Sequence, residues 1–112
     1  MAEHRSFSSK ASVPTGKGHR YMLQLLKHWS HNLTVEIAGT SGSVAFPKDA
    51  RGADWPDDGR IEMIARDAVL DVTVIGSTPT HREALKGAAQ RHLDRFAFRE
   101  APLSFDWSDH EA

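Results

Sequence analysis

Apolar residues recur along this chain at two spacings. Over residues 7–13, Phe7, Ala11 and Val13 alternate with Ser8, Lys10 and Ser12, a period of two that predicts a strand. Pro14 to Gly18 reads as a turn. Over residues 19–31 the period lengthens: Met22, Leu25, Leu26 and Trp29 share one stripe of a helix, with Tyr21 at its edge. Residues 33–37 alternate again as a half-buried strand; 38–42 turn the chain, and 43–46 return as a hairpin partner. Residues 47–59 form a long polar loop around Trp55. Residues 60–65 and 69–75 predict two further strands joined through Arg66-Asp67-Ala68, with Leu70, Val72 and Val74 inward and Asp71 and Thr73 outward. A second helix is expected to begin at Thr80, where Thr80-His81-Arg82-Glu83 has the form of a capping box just after Pro79. Its apolar face holds Ala84, Leu85, Ala88, Ala89, His92, Leu93 and Phe96, and Pro102 stops it. Residues 103–107 alternate as a closing strand.

The predicted order is therefore β-α-β-β-β-β-α-β. Consecutive strands between two helices imply an α+β fold: an antiparallel sheet with both helices packed on one face. At 112 residues the chain reads as one domain spanning 1–112, able to bury roughly two-thirds of its unfolded surface. Residues 1–6 are expected to fray. Neither a repeat nor a low-complexity segment interrupts the pattern.

Composition excludes more than it selects. A formal charge of −1 gives no long-range field for nucleic acid or anionic lipid, so neither is expected as a partner. Seven histidines would add positive charge near pH 6. The absence of cysteine removes disulfides, thiolate nucleophiles and cysteine-based metal sites. No stretch approaches the roughly 18 apolar residues of a membrane span, and the polar start has no apolar signal core. A cytoplasmic protein is expected, and a homodimer is compatible with the sequence.

Two segments carry a resemblance. Tyr21-x-x-Gln24-Leu25-x-Lys27-His28-Trp29-Ser30-His31 and His92-Leu93-x-Arg95-Phe96-Ala97-Phe98-Arg99-Glu100 resemble the small bacterial family catalogued as domain of unknown function 2218. The likeness covers residues 11–107 and is loosest over 47–59. It implies a fold similar to the TATA-binding-protein-like sheet with two helices on one side. It implies nothing about DNA binding, because fold does not carry function. Some proteins similar to this family join the domain to a flavin-dependent siderophore-interacting reductase, an associative hint of iron handling. This chain has no Gly-rich dinucleotide fingerprint of its own.

The histidines are the first candidates for chemistry. His28 and His31 lie three apart on the first helix, and such neighbours can chelate a transition metal when a third ligand, here His92, joins them. The structural alternative is preferred: Lys27, His28 and His31 before Asn32 also suit a helix C-terminus, and His31 projects to the polar side. His92 is expected near the middle of an apolar stripe, where it must hydrogen-bond through at least one nitrogen. Arg95, Arg99 and Glu100 flank Phe96 and Phe98. An arginine stacked on an aromatic locks folds, but it also seats anions, with Arg95 the better placed because it projects nearer His92.

Other motifs are weaker. The acidic loop around Trp55 lacks the ligand spacing of a calcium loop, and a Trp folded back onto the body is preferred over an exposed stacking platform. Ser30 and His31 point about 100° apart and make no triad. Gly16-Lys17-Gly18 suggests a phosphate seat but lacks the flanking residues of a P-loop.

The leading expectation is a non-enzymatic binding module. His28, His92, Arg95 and Tyr21 would line a pocket between the two helices and take a small-molecule anion or a metal chelate. No organic cofactor is evident, and a transition metal held by His28, His31 and His92 is the cofactor the residues allow. The alternatives are an enzyme or enzyme subunit with His92 as general base, and a structural or regulatory domain that binds a partner through its sheet.

Overall fold

The structure, a computed structural model, describes residues 6–111. The elements follow the expected order: β1 (Phe7–Pro14), α1 (Gly18–Trp29), β2 (Thr34–Ala38), β3 (Ser41–Phe46), β4 (Gly59–Ala65), β5 (Val69–Gly76), α2 (Pro79–Phe96) and β6 (Ser108–Glu111). A turn of 3-10 helix at Ala50–Gly52 interrupts the long loop. All strand pairs are antiparallel, in the order β2-β3-β4-β5-β1-β6.

Register places the alternation on two unlike faces. Val44, Ile61 and Val74 stand in one row across β3, β4 and β5, and Met63, Val72 and Ala11 in another. These side chains are buried, and both helices pack over them. From α1, Met22, Leu25, Leu26 and Trp29 enter the core; from α2, Leu85, Ala89 and Leu93 do. Gly42 sets the approach of α1 to β3, because a Cβ there would overlap the Leu26 side chain. The opposite face carries Lys10, Arg60, Glu62, Asp71 and Thr73, mixed in charge and without a helix over it.

Helix α1, expected over residues 19–31, spans Gly18–Trp29 and leaves His31 beyond its end. Three other boundaries also differ from the sequence reading. Helix α2 starts earlier: Thr78 is its N-cap, accepting from the His81 backbone N–H at 2.9 Å, and Pro79 is the first helical residue. Proline at that position gives up a hydrogen bond the helix could not make anyway. The helix also ends sooner, at Phe96, with residues 97–101 turning off it. The closing strand is displaced to Ser108–Glu111. Leu103 is nonetheless buried, and Phe105 and Trp107 pack against the core. The segment is an extended strap tied by side chains: the Leu103 N–H donates to Asp94 and the Trp107 indole N–H to Gln90. The fraying expected for residues 1–6 concerns chain that is, apart from Ser6, outside the described residues.

Candidate functional site

The two helices meet along a seam whose middle is closed by rings. His28 of α1 packs edge-on against Phe96 of α2, with centroids 6.0 Å apart. On one side of this closure lies a cavity of about 540 Å³, bounded by the C-terminal end of α1, about the first four turns of α2 and the loop after β3. Its existence follows from residue size. Ala84 and Ala88 bring only methyl groups to the α2 wall, with Leu85 beside them, while Ala89 and Leu93 turn into the core.

The walls are aromatic. Trp29 meets Phe46 edge-to-face at 5.1 Å and lies 5.0 Å from the His92 ring. His28 stands 5.7 Å from His92, the rings tilted by 42°. Trp55 folds back from the loop, as preferred, and stacks on His81 at 4.4 Å with only 5° between the planes. Arg91 and Asp49 bring charge to the lining.

The two histidines of α2 have different environments. His92 is half-buried at the edge of the apolar face, not at its middle; the middle is occupied by Leu85, Ala89 and Leu93. Its Nδ1–H donates to the Ala88 carbonyl at 2.7 Å, which in the neutral ring puts the lone pair on Nε2. His81 is 2% exposed. Its Nδ1 accepts from the Ser77 backbone N–H at 3.0 Å and lies 2.8 Å from the Ser77 hydroxyl. The neutral ring therefore carries its proton on Nε2, beside Gly59, where a Cβ would come within 2.7 Å. Burial lowers the His81 pKa against a smaller opposing pull from the Asp58 carboxylate.

Of the residues expected to bind ligand, the structure brings His28 and His92 together and separates the others. Tyr21 lies beyond the ring closure, buried, with its hydroxyl donating to Glu100. Glu100 also accepts from Thr15 Oγ1 at 3.1 Å, so Tyr21 fastens the turn after α2 to the start of α1. That hydrogen bond, then burial, raises the Tyr21 pKa. Arg95 is exposed and outside the cavity lining; Arg91, one turn earlier, occupies the place foreseen for it. Arg95 falls past the point where His28 and Phe96 close the seam.

The trio His28, His31 and His92 does not assemble. His31 is exposed and outside the lining, and among the described residues no three His, Asp or Glu side chains are grouped as metal ligands. The α1 C-terminus does carry Lys27 and His28 in its last turn, as its dipole favours.

Sequence reasoning missed His81. The signal was present in Ser77-Thr78-Pro79: a threonine followed by proline marks an N-cap, and His81 then falls at the third helical position, beneath the cap and facing inward.

Residues 10–108 match the family described as an uncharacterized protein conserved in bacteria, DUF2218. Among solved structures, the NMR structure of PA4090 from Pseudomonas aeruginosa is similar at 23% identity, with 95% of this chain and 96% of that chain covered and a TM-score of 0.67. At that identity the likeness carries the fold alone. No curated protein matches the chain. Because the family match takes in both helices and the loop that together build the cavity, the chain belongs to DUF2218, the bacterial family whose likeness its two helical segments carry.

Proposed function

We propose that the protein is a non-enzymatic binding module for a small, flat ligand bearing an anionic or metal-chelated group. The observation that carries this reading is the convergence of His28 and His92 on an aromatic cavity of about 540 Å³. That volume falls within the roughly 300–1,000 Å³ of small-molecule sites. Trp29, Phe46 and Trp55 offer flat apolar surface, while the imidazoles and Arg91 offer polar contacts for an oxygen-rich edge. Two imidazoles are too few to hold a metal by themselves, so a metal would arrive already chelated, and a ferric chelate is one such guest.

The test is saturable binding of anilinonaphthalene sulfonate, a flat aromatic anion, followed by its fluorescence. Ala88→Phe fills the cavity and is expected to weaken binding at least about tenfold, or about 1.4 kcal/mol. His28→Ala is expected to weaken it less. Binding unaffected by Ala88→Phe would show that the dye sits elsewhere and would sink the assignment. A ferric catecholate that quenches tryptophan emission in the parent and not in Ala88→Phe would extend it to metal chelates.

A further inference from the structure

On the other side of the His28–Phe96 closure lies a second, smaller cavity of about 210 Å³. Lys17 and Arg20, from the start of α1, and Arg99, from the turn after α2, surround it, and Tyr21 and Phe96 form apolar parts of its wall. Among the described residues none of these three cations has an ion pair, although Arg60, Arg66, Arg82 and Lys86 all do. Glu100 is close by, but its oxygens accept from the neutral hydroxyls of Tyr21 and Thr15.

Stability does not account for this arrangement. Cations in the first turn of a helix oppose its dipole, and α1 has no acidic residue there to balance Lys17 and Arg20. Phe98, also on the wall, is 71% exposed, and the Arg99 guanidinium lies 5.7 Å from its ring centre. An exposed aromatic beside a cluster of unpaired guanidiniums provides two kinds of contact at once. Arginines fork onto phosphate oxygens, and the phenyl face stacks on a flat organic group.

We infer that this cleft is a second binding site, separate from the larger cavity, for a phosphate monoester of a small flat organic group. Lys17, Arg20 and Arg99 hold the phosphate, and Phe98 lies against the ring. The size fits such a ligand: the cavity has room for a phosphate and one ring, not for a long chain. Nothing in this assignment depends on the larger cavity being occupied.

The experiment is an amide-shift titration of the full chain at low salt, with phenyl phosphate and inorganic phosphate as probes. Phenyl phosphate is expected to saturate and to bind more tightly than inorganic phosphate. The double variant Arg20→Gln/Arg99→Gln is expected to lose about tenfold or more in affinity for both probes. Phe98→Ser should bring phenyl phosphate down to the level of inorganic phosphate and leave the latter unchanged. These residues are exposed, so the variants are expected to keep the parent melting temperature, and Ala88→Phe is expected to keep the parent affinity for both probes. Failure to saturate overturns the site. So does an equal loss in Arg95→Gln, which removes the same charge outside the cleft. Equal affinity for the two probes overturns the ligand class.

Discussion

His81 and His92 lie eleven residues apart on the same helix and do opposite things. His92 stands at the edge of a cavity, half-buried, holding one proton on a carbonyl of its own helix. His81 is sealed under the stacked Trp55, with its Nδ1 held by the backbone of the turn that starts the helix. The first keeps part of its ring open at the cavity wall. The second is a structural pin between the long loop, the Ser77 turn and the end of the sheet at Gly59. Eleven residues is about three whole turns, so the two share a face of α2 and both line the cavity; what separates them is whether a neighbouring segment covers the ring. Residue type plays no part.

The largest expected effect is the loss of the pin. His81→Ala removes a stacked, buried ring and strands the Ser77 N–H. It should cost about 3 kcal/mol in denaturant unfolding, combining the penalty for an unmet hydrogen bond with that for a new cavity. His92→Ala in the same assay should cost well under half as much; comparable losses would show that the two histidines are equally structural. Next comes Gly59→Ala, whose methyl would press on His81 Nε2 and on Leu85, at 2.7 and 3.1 Å. About 1–3 kcal/mol is expected, with loss of the Trp55 near-ultraviolet circular dichroism signal as the local signature. Removing the cap with Thr78→Ala should cost about 1 kcal/mol, read as a lower melting temperature.

A smaller effect of the buried imidazole is read by pH. The folded pKa of His81 lies below its unfolded value, so the unfolded chain binds the extra proton first. The stability tied to its neutral form is complete above about pH 6.5 and falls as pH drops from there toward the lowered folded value. Asp71, Glu83 and Asp109 also titrate below their ordinary values, Asp71 through hydrogen bonds from Arg66 and Ser12, and the other two through Lys86 first. Their contribution is lost as pH falls through the ordinary carboxylate range near about 4, beneath the onset of the His81 loss near about 6.5. The slope of stability just below about pH 6.5 should flatten in His81→Phe. A slope unchanged by His81→Phe would remove the buried imidazole as its source.

Much of the fold is legible from alternation because one face of the sheet is buried and the other is wet. Strands β4 and β5 show this best: Ile61, Met63, Val72 and Val74 are buried, and Glu62 and Thr73 face outward. Where alternation misled, at 103–107, it had correctly marked burial but not pairing. Leu103, Phe105 and Trp107 pack inward without a neighbouring strand, and periodicity cannot distinguish a strap from a strand. The candidate site was legible only in part. His28 and His92 follow from helical projection, but the Trp55–His81 stack depends on how the long loop between β3 and β4 folds back, which no local pattern encodes. Arg95 shows the limit of projection: the helical stripe was right, but where the seam closes is set by the partner helix.

Ser9 is a hydroxyl buried in the middle of β1, and it donates to Asp109 of β6 at 2.7 Å. Asp109 in turn takes Lys86 at 2.7 Å and Arg82 at 3.3 Å, both from α2. With Phe7 standing opposite Glu111 in the ladder, the first and last described strands are neighbours riveted to the same helix. The described chain is thus a nearly closed ring. Joining it across β1 and β6 with a short linker and opening it at the two-residue turn between β2 and β3 would reorder the sequence while keeping every strand neighbour, and with them the walls of both cavities.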